Sequence, residues 1–135
     1  LNTADQAEVI ALMTPLGTPE WIDESLFDAV TALAGSGPAF VYRFIDALAA
    51  GAAALGLPAD QAERLALAMV EGAGALASAP PHSPGELARR VASPGGTTQA
   101  GLDAIDADDA LNCLLAATLK AASDRSAEMA AAARG

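Results

Sequence analysis

The signals that decide the fold are concentrated in residues 35–55, GSGPAFVYRFIDALAAGAAAL. Gly35 to Pro38 interrupts one helical pattern, and the apolar residues that follow recur at the three- and four-residue spacing of an α-helix. Ser36 is favoured at a helix N-cap, and Pro38 falls in the first turn, where its missing N–H leaves no hydrogen bond unmade. The stretch therefore predicts a helix with a broad apolar stripe.

Helical patterns with recognisable ends continue on both sides of this stretch. Ser83-Pro84-Gly85-Glu86 predicts a capping box and a short helix that reaches about Val91, and Thr97 or Thr98 can cap the helix that follows. Residues 18–22 end in a β-branched residue and are compatible with a short strand or a connector. The remaining helices are predicted at about residues 4–16, 23–34, 58–79 and 108–129.

The composition also favours an all-α fold. Hydrophobic residues make up 53% of the 135-residue chain but aromatic residues only 4%, so the core must be built from Ala, Leu and Val. Small side chains let helices pack closely, yet they give each helix little apolar area to bury. We therefore expect an oligomer to supply the burial that one chain lacks.

Charge and cysteine content limit the partners and the compartment. The formal net charge of −10 repels polyanions, which argues against nucleic acid and anionic membranes as partners. The sequence contains no run of about 18 apolar residues that would predict a membrane span. Cys113 is the single cysteine, so no intramolecular disulfide can form, which fits a reducing cytoplasm. We predict that Cys113 is a small buried hydrophobe on a Leu-rich helix.

Three further patterns are better explained by structure than by chemistry. GAGALA at 72–77 matches the dinucleotide pattern GxGxxA, but a helix-forming segment precedes it where a strand is required, so small residues at a close helix crossing are predicted instead. His82 has no second histidine beside it and is predicted to lie in a surface loop. The third pattern is an acidic cluster formed by Asp103, Asp106, Asp108 and Asp109. Its spacing suits helix ends and a solvated face better than a calcium-binding loop, so no metal site is predicted.

The segment Ser93-Pro94-Gly95-Gly96-Thr97-Thr98 is the strongest candidate for a binding site. Two successive glycines let the backbone approach a ligand, and the start of the next helix adds N–H groups and positive dipole. Together with two hydroxyls, these groups suit a carboxylate. A plain turn between two helices explains the residues about equally well, and the physical argument leaves both readings open.

Four segments occur in a characteristic order along the chain: FDAVTALAGSGPAF at 27–40, LGLP at 55–58, SPGGTT at 93–98 after Val91, and RSAEM at 125–129. Together they resemble the C-terminal domain of pyrroline-5-carboxylate reductases, over about residues 23–130. Residues 1–22 resemble the end of the domain that precedes it in this family, a last helix and then a short strand. On this resemblance, residues 23–135 form the helical dimerisation and substrate-loop domain.

The resemblance implies an interlocking helical fold of the 6-phosphogluconate dehydrogenase C-terminal-like type, without the N-terminal Rossmann domain. It implies a homodimer, which in the family often assembles into larger rings, and a cytoplasmic enzyme that reduces Δ1-pyrroline-5-carboxylate to L-proline with NADPH or NADH. The cofactor would be held mainly by the N-terminal domain, and this chain alone is expected to be inactive.

The resemblance also assigns roles to individual residues. The loop 93–98 would hold the carboxylate of the imino acid, and Thr98 would place its hydroxyl near the imine nitrogen as the catalytic residue. Other residues that match positions lining the same cleft are Thr31, Ser36, Gly37 and Val91.

Two positions depart from the family pattern. Pro81-His82 stands where a glutamate is common, and Arg89 stands where an acid is common. Two alternatives therefore remain: a non-catalytic helical dimerisation module, and a reductase of a related cyclic imine.

Overall fold

The computed structural model describes residues 2–79 and 81–134, so Leu1, Pro80 and Gly135 lie outside the described part of the chain. The described residues form helices and no strand, as the composition predicts. The α-helices are α1 Thr3–Met13, α2 Phe27–Val30, α3 Gly37–Ala54, α4 Ala59–Ala77, α5 Pro84–Val91, α6 Thr97–Asp106 and α7 Ala110–Arg134. Short 3₁₀ turns occupy Thr14–Leu16, Glu24–Leu26 and Ala107–Asp109, and a π turn occupies Thr31–Gly35.

Residues 18–22 form a connector, one of the two alternatives predicted for them. The short strand is not formed, because the described residues contain no other strand to pair with it. The assignment of residues 1–22 to a preceding domain stays a prediction. The prediction for α1 is confirmed apart from its end, where a 3₁₀ turn replaces the last helical turn.

Helix caps account for several of the observed boundaries. The Asp23 carboxylate accepts hydrogen bonds from the Ser25 hydroxyl (2.6 Å) and the Ser25 N–H (2.9 Å), which lower the pKa of Asp23 because they favour its charged form. Ser83 accepts a hydrogen bond from the Glu86 N–H at 3.3 Å, and Pro84 opens α5 as predicted. The other half of the predicted capping box is absent, because the Glu86 carboxylate lies against His82 instead.

The junction between α2 and α3 is a π turn, which the sequence patterns did not predict. The Ser36 N–H donates to the Thr31 carbonyl at 3.0 Å, a five-residue step in place of the usual four. Ser36 precedes α3 with helical angles (φ −88°, ψ −24°), and its side chain caps nothing. The prediction that Ser36 caps α3 is therefore wrong, because the helical backbone continues through it. Pro38 does lie in the first turn, as predicted.

The helices pack in two groups. Helix α4 packs along α3 after the short turn at residues 55–58, whereas α7 packs against α2, the π turn and α6. Helix α1 packs against the 3₁₀ turn that follows it. The two groups leave broad apolar faces uncovered.

One copy of the chain does not enclose a core. In the described part of the chain the buried apolar residues are the alanines Ala32 (1% exposed), Ala62 (1%) and Ala66 (8%). The accessible surface is 10294 Å², whereas a compact monomer of 13.4 kDa exposes about 6,500 Å². The excess is about 3,800 Å² per chain. These helices are therefore arranged to be covered by another protein surface.

A hydrogen bond between residues that are distant in the sequence joins α7 to α2. The Ser126 hydroxyl on α7 donates to Asp28 Oδ1 on α2 at 2.6 Å, and the contact is partly buried. Because a charged acceptor away from bulk water strengthens a hydrogen bond, this contact should hold α7 against the π turn.

We expect Asp28→Ala to lower the free energy of unfolding by about 1.5–3 kcal/mol, because the Ser126 hydroxyl loses a charged acceptor. Asp28→Asn keeps an oxygen that can accept the bond and should lose less. Asp46→Ala is the control, since its pair with Arg43 is exposed and worth about 0.5 kcal/mol or less. Urea denaturation measures all three, and equal losses for Asp28→Ala and Asp46→Ala would contradict this role.

Candidate functional site

The segment between α5 and α6 begins with a tight turn. Residues 93–96 form a type II β-turn, in which the Gly96 N–H donates to the Ser93 carbonyl at 2.9 Å. Pro94 occupies the second position, where its fixed φ is favourable, and Gly95 occupies the third with φ +70°. A residue with a Cβ is strained at that φ, so glycine suits this position for a physical reason.

The second glycine permits a close approach of the chain to itself. A Cβ added to Gly96 would lie 2.5 Å from Ser93 Oγ and 3.1 Å from the Ser93 carbonyl oxygen. Gly96 is also the N-cap of α6, with extended angles (φ −83°, ψ 170°). Thr97 and Thr98 are therefore the first two helical residues, and the prediction that one of them caps the helix is wrong. The turn sets the helix start one residue earlier.

The start of α6 presents N–H groups without acceptors in the described chain. Gly96 has no side chain to cap the helix, and the first N–H bonded back to it is that of Ala100, at 3.1 Å to the Gly96 carbonyl. The N–H groups of Thr97, Thr98 and Gln99 thus remain available at the positive end of the helix dipole. The first N–H groups of any α-helix lack partners within the helix, so this geometry is compatible with an anion site and equally with a plain turn.

The predicted cleft residues fall into two places. Thr31 begins the π turn, Ser36 follows it, and Gly37 opens α3. Val91 ends α5, two residues before the turn. The π turn and α6 both pack on α7, which is the element that relates the two places. No side-chain hydrogen bond links them in the described part of the chain.

His82 lies in the loop before α5, as predicted, but its ring contacts two side chains of that helix. Its side chain is 30% exposed, and its Nδ1 lies 3.0 Å from Glu86 Oε1. Its Nε2 lies 2.6 Å from Arg90 Nη1. Each ring nitrogen of His82 thus lies within contact distance of a charged side chain of α5. The four-residue spacings 82–86 and 86–90 were the sequence signal for this arrangement.

The remaining candidates lie away from the turn. Cys113 is exposed, so the prediction of a buried thiol is wrong for the single chain, because nothing in the described part covers that face of α7. Asp103 accepts from Gln99 Nε2 at 2.7 Å, and Asp109 accepts from Asn112 Nδ2 at 2.6 Å. Among the described residues, no three His, Cys, Asp or Glu side chains converge as a metal site would require.

The dinucleotide-like pattern at 72–77 lies inside α4, so the objection that it does not follow a strand is confirmed. The alternative predicted for it is not met within the chain. A Cβ added to Gly72 or Gly74 would contact nothing within 4 Å, so no described helix crosses there.

These observations define a class: an all-helical domain with uncovered apolar faces and a glycine-containing turn that leaves N–H groups open at the start of one helix. The family model for pyrroline-5-carboxylate reductase dimerisation matches residues 24–129. The chain therefore belongs to the pyrroline-5-carboxylate reductase dimerisation family.

Curated relatives agree with this assignment. A pyrroline-5-carboxylate reductase of Aquifex aeolicus (strain VF5) is 47% identical over 102 residues, which cover 76% of this chain and 38% of that protein. One from Pisum sativum is 41% identical over 128 residues, which cover 94% of this chain and 46% of that protein. The chain thus spans less than half the length of these relatives.

Solved structures share the fold. A pyrroline-5-carboxylate reductase from Coxiella burnetii matches with a TM-score of 0.89 at 31% identity, covering 95% of this chain and 47% of that one. A Plasmodium falciparum pyrroline carboxylate reductase with NADP bound matches with a TM-score of 0.81 at 27% identity, covering 96% and 49%. Among the described residues, no helix has the length and hydropathy that crossing a membrane requires.

We expect Gly95→Ala to destabilise the protein by about 1–2 kcal/mol, because its φ of +70° is strained for other residues. Gly96→Ala should cost about 1–3 kcal/mol, since its Cβ would lie 2.5 Å from Ser93 Oγ and 3.1 Å from the Ser93 carbonyl oxygen, so the Ser93 side chain must rotate and the turn must shift. Gly101→Ala, inside α6 with nothing within 4 Å, should instead stabilise by about 0.5–1 kcal/mol. Denaturation midpoints decide between these signs. A neutral Gly96→Ala would contradict the observed turn.

Proposed function

We propose that this chain is the C-terminal part of an enzyme that reduces Δ1-pyrroline-5-carboxylate to L-proline with NADPH or NADH. The observation that carries the proposal is the turn at 93–96, which leaves open N–H groups at the start of α6. It occurs in a chain whose residues 24–129 match the dimerisation family of these reductases.

The loop Ser93 to Thr98 would hold the substrate carboxylate. The N–H groups at the start of α6 and the hydroxyls of Thr97 and Thr98 can all donate to its oxygens. A carboxylate fixed at this point fixes the ring of the imino acid relative to the loop. We assign to Thr98 the hydroxyl that donates toward the imine nitrogen and orients it, which makes Thr98 the catalytic residue of this chain.

The dinucleotide would be held mainly by the N-terminal domain of the whole protein. The described residues contain no strand, and the GAGALA pattern lies within α4, so they do not fit a pyrophosphate site. A bound nicotinamide would supply the hydride, while this chain positions the imine and excludes water. Thr31, Ser36, Gly37 and Val91 are proposed to line the cleft between the two domains.

A second copy of the chain is the proposed partner for the uncovered apolar faces. An open groove of about 380 Å³ runs between α3 and α7, and a second of about 370 Å³ adjoins it. Phe40 and Leu115 line both, beside Phe44 and Leu114. Alternating large and small side chains of this kind accept a helix from a partner. We propose a homodimer in the cytoplasm, and larger rings built from such dimers.

One observation favours a variation on this function. His82, Glu86 and Arg90 form a charged group where the family pattern commonly has a glutamate, and Arg89 replaces a common acid. Reduction of a related cyclic imino acid is therefore the second candidate, because the charged residues on and before α5 differ from the family pattern. The first candidate requires proline as the product, and a product assay on the full-length protein separates the two.

We expect Thr98→Ala in the full-length protein to lower kcat/KM for Δ1-pyrroline-5-carboxylate by about 10- to 100-fold, because one donor to the substrate is lost. Thr98→Ser keeps the hydroxyl and should stay within about threefold of the parent protein. Oxidation of NADPH or NADH, followed by its absorbance, provides the measurement.

Ser78→Ala is the matched control, since its hydroxyl is exposed at the end of α4 and bonds only to the Ala75 carbonyl. Its kcat/KM should match that of the parent. The assignment fails if Thr98→Ala also matches the parent. The absence of any reductase activity in the parent would instead overturn the proposed function itself.

A further inference from the structure

The π turn at Thr31–Gly35 contains one residue more than an α-helical turn. The Ser36 N–H donates to the Thr31 carbonyl, five residues earlier, at 3.0 Å. Successive residues of an α-helix are rotated by about 100° around its axis, because 3.6 residues make one turn. One extra residue therefore rotates all the residues after it by about 100° from their positions in an uninterrupted helix.

The side of the chain that faces α7 is known just before and within the π turn. Asp28 on α2 accepts the hydrogen bond from Ser126 of α7 at 2.6 Å. Ala32 is 1% exposed, and α7 packs on the π turn that contains it. Because residues four apart share one side of a helix, Asp28 and Ala32 mark the side that faces α7.

An uninterrupted helix would turn an ion pair toward α7. Ala39, Arg43 and Asp46 lie 11, 15 and 18 residues after Asp28, each close to a whole number of helical turns. Arg43 and Asp46 form an exposed ion pair on α3. In that arrangement their charges would be directed at the leucines of α7, an unfavourable environment for an ion pair.

The structure presents a different set of α3 residues to α7. On the α3 side, the groove between the two helices is lined by Phe40, Arg43, Phe44 and Ala47. Phe40, Phe44 and Ala47 each stand one position after a residue that the uninterrupted helix would present, as the extra residue of the π turn requires. Tyr42 and Asp46 line a separate cleft, between α3 and α4.

We propose that the π turn sets the rotation of α3, so that Phe40 and Phe44 form the wall of a groove that accepts a helix of a second copy of this chain. The proposal rests on the homodimer of the proposed function and deepens it. Helix α7 packs closely on α2 and on the π turn, whereas a groove of about 380 Å³ lies between α7 and α3. Phe44 (48% exposed) and Leu115 (45%) remain open there to a partner.

Deletion of Ala34 from the full-length protein tests this rotation, because it removes the extra residue and allows an α-helix to continue through the segment. Phe40 and Phe44 should then turn about 100° away from the groove, and Ala39 and Arg43 should take their places. Aromatic residues in the buried centre of an interface contribute much of its affinity. We expect the dimer Kd to rise about 100-fold or more in sedimentation equilibrium.

A second variant combines the deletion with Ala39→Phe and Arg43→Phe, which returns aromatic side chains to the groove. We expect its dimer Kd to lie within about tenfold of that of the parent protein. The same two substitutions without the deletion are the matched control. They should not lower the Kd, because Phe40 and Phe44 already form the groove wall in the parent.

Two single substitutions compare the two sides of α3 without a deletion. Phe44→Ala removes an aromatic side chain from the groove and should raise the dimer Kd about 30-fold or more. Tyr42→Ala changes a residue that is 69% exposed and lines the α3–α4 cleft, so its Kd should stay within about threefold of the parent.

Three results would overturn the proposal: a deletion variant that dimerises as tightly as the parent, a failure of the two added phenylalanines to restore the dimer, or equal effects of Phe44→Ala and Tyr42→Ala. If the deletion variant does not fold, the restoration and the comparison of Phe44 with Tyr42 still decide. A monomeric parent protein would instead overturn the proposed homodimer. An inactive but dimeric parent would count against the proposed reaction and leave the rotation of α3 intact.

Discussion

The dependence of these helices on a second protein surface is the constraint that shapes the chain. Three alanines are the buried apolar residues of the described part, and the accessible surface exceeds that of a compact monomer by about 3,800 Å². Obligate homodimers bury about 2,000–5,000 Å² in total, which is at most about 2,500 Å² per chain. A dimer of that class would leave part of the excess uncovered. Helix α1 accounts for some of this remainder, because Leu12 and Met13 are exposed and α1 packs mainly on the turn that follows it.

The packing of α7 also positions the candidate site. Helix α7 carries one wall of the apolar groove, packs on the π turn and also packs on α6. The Asp28–Ser126 hydrogen bond holds α7 to α2 near that turn. A partner that fills the groove would therefore press on the element that relates Thr31 and Ser36 to the loop at 93–98. If the loop at 93–98 holds the substrate as proposed, α7 would link assembly to substrate binding.

Local features of the fold could be predicted from the sequence, because their causes lie within a few residues. Pro38 and Pro84 mark helix starts, and the two glycines of the loop predict a close approach of the backbone. The cap of α6 was misassigned because the turn that begins at Ser93 fixes Gly96 in an extended conformation, and propensity alone favours threonine there. No residue pattern distinguished the π turn from an ordinary helical turn.

Features that depend on contacts between distant residues could not be predicted in this way. Cys113 has the sequence environment of a buried residue, but its burial depends on what covers α7, which the chain itself does not supply. The partner of Asp28 lies 98 residues away and has no local signal. The contact of His82 could be predicted only in part. Its four-residue spacing to Glu86 is visible in the sequence, but His82 precedes the start of α5, where such a spacing gives little reason to expect a contact. The proline chemistry came from the resemblance and from no single residue.

The dependence of the 135-residue chain on a second copy that buries its apolar faces can be measured. Its most direct test is thermal unfolding of the chain over a roughly hundredfold range of protein concentration, because folding coupled to association makes Tm depend on concentration. For a dimer we expect a Tm that rises steadily with protein concentration. Light scattering should then give a mass of twice 13.4 kDa. A Tm independent of concentration, in a cooperatively folded monomer, would contradict it.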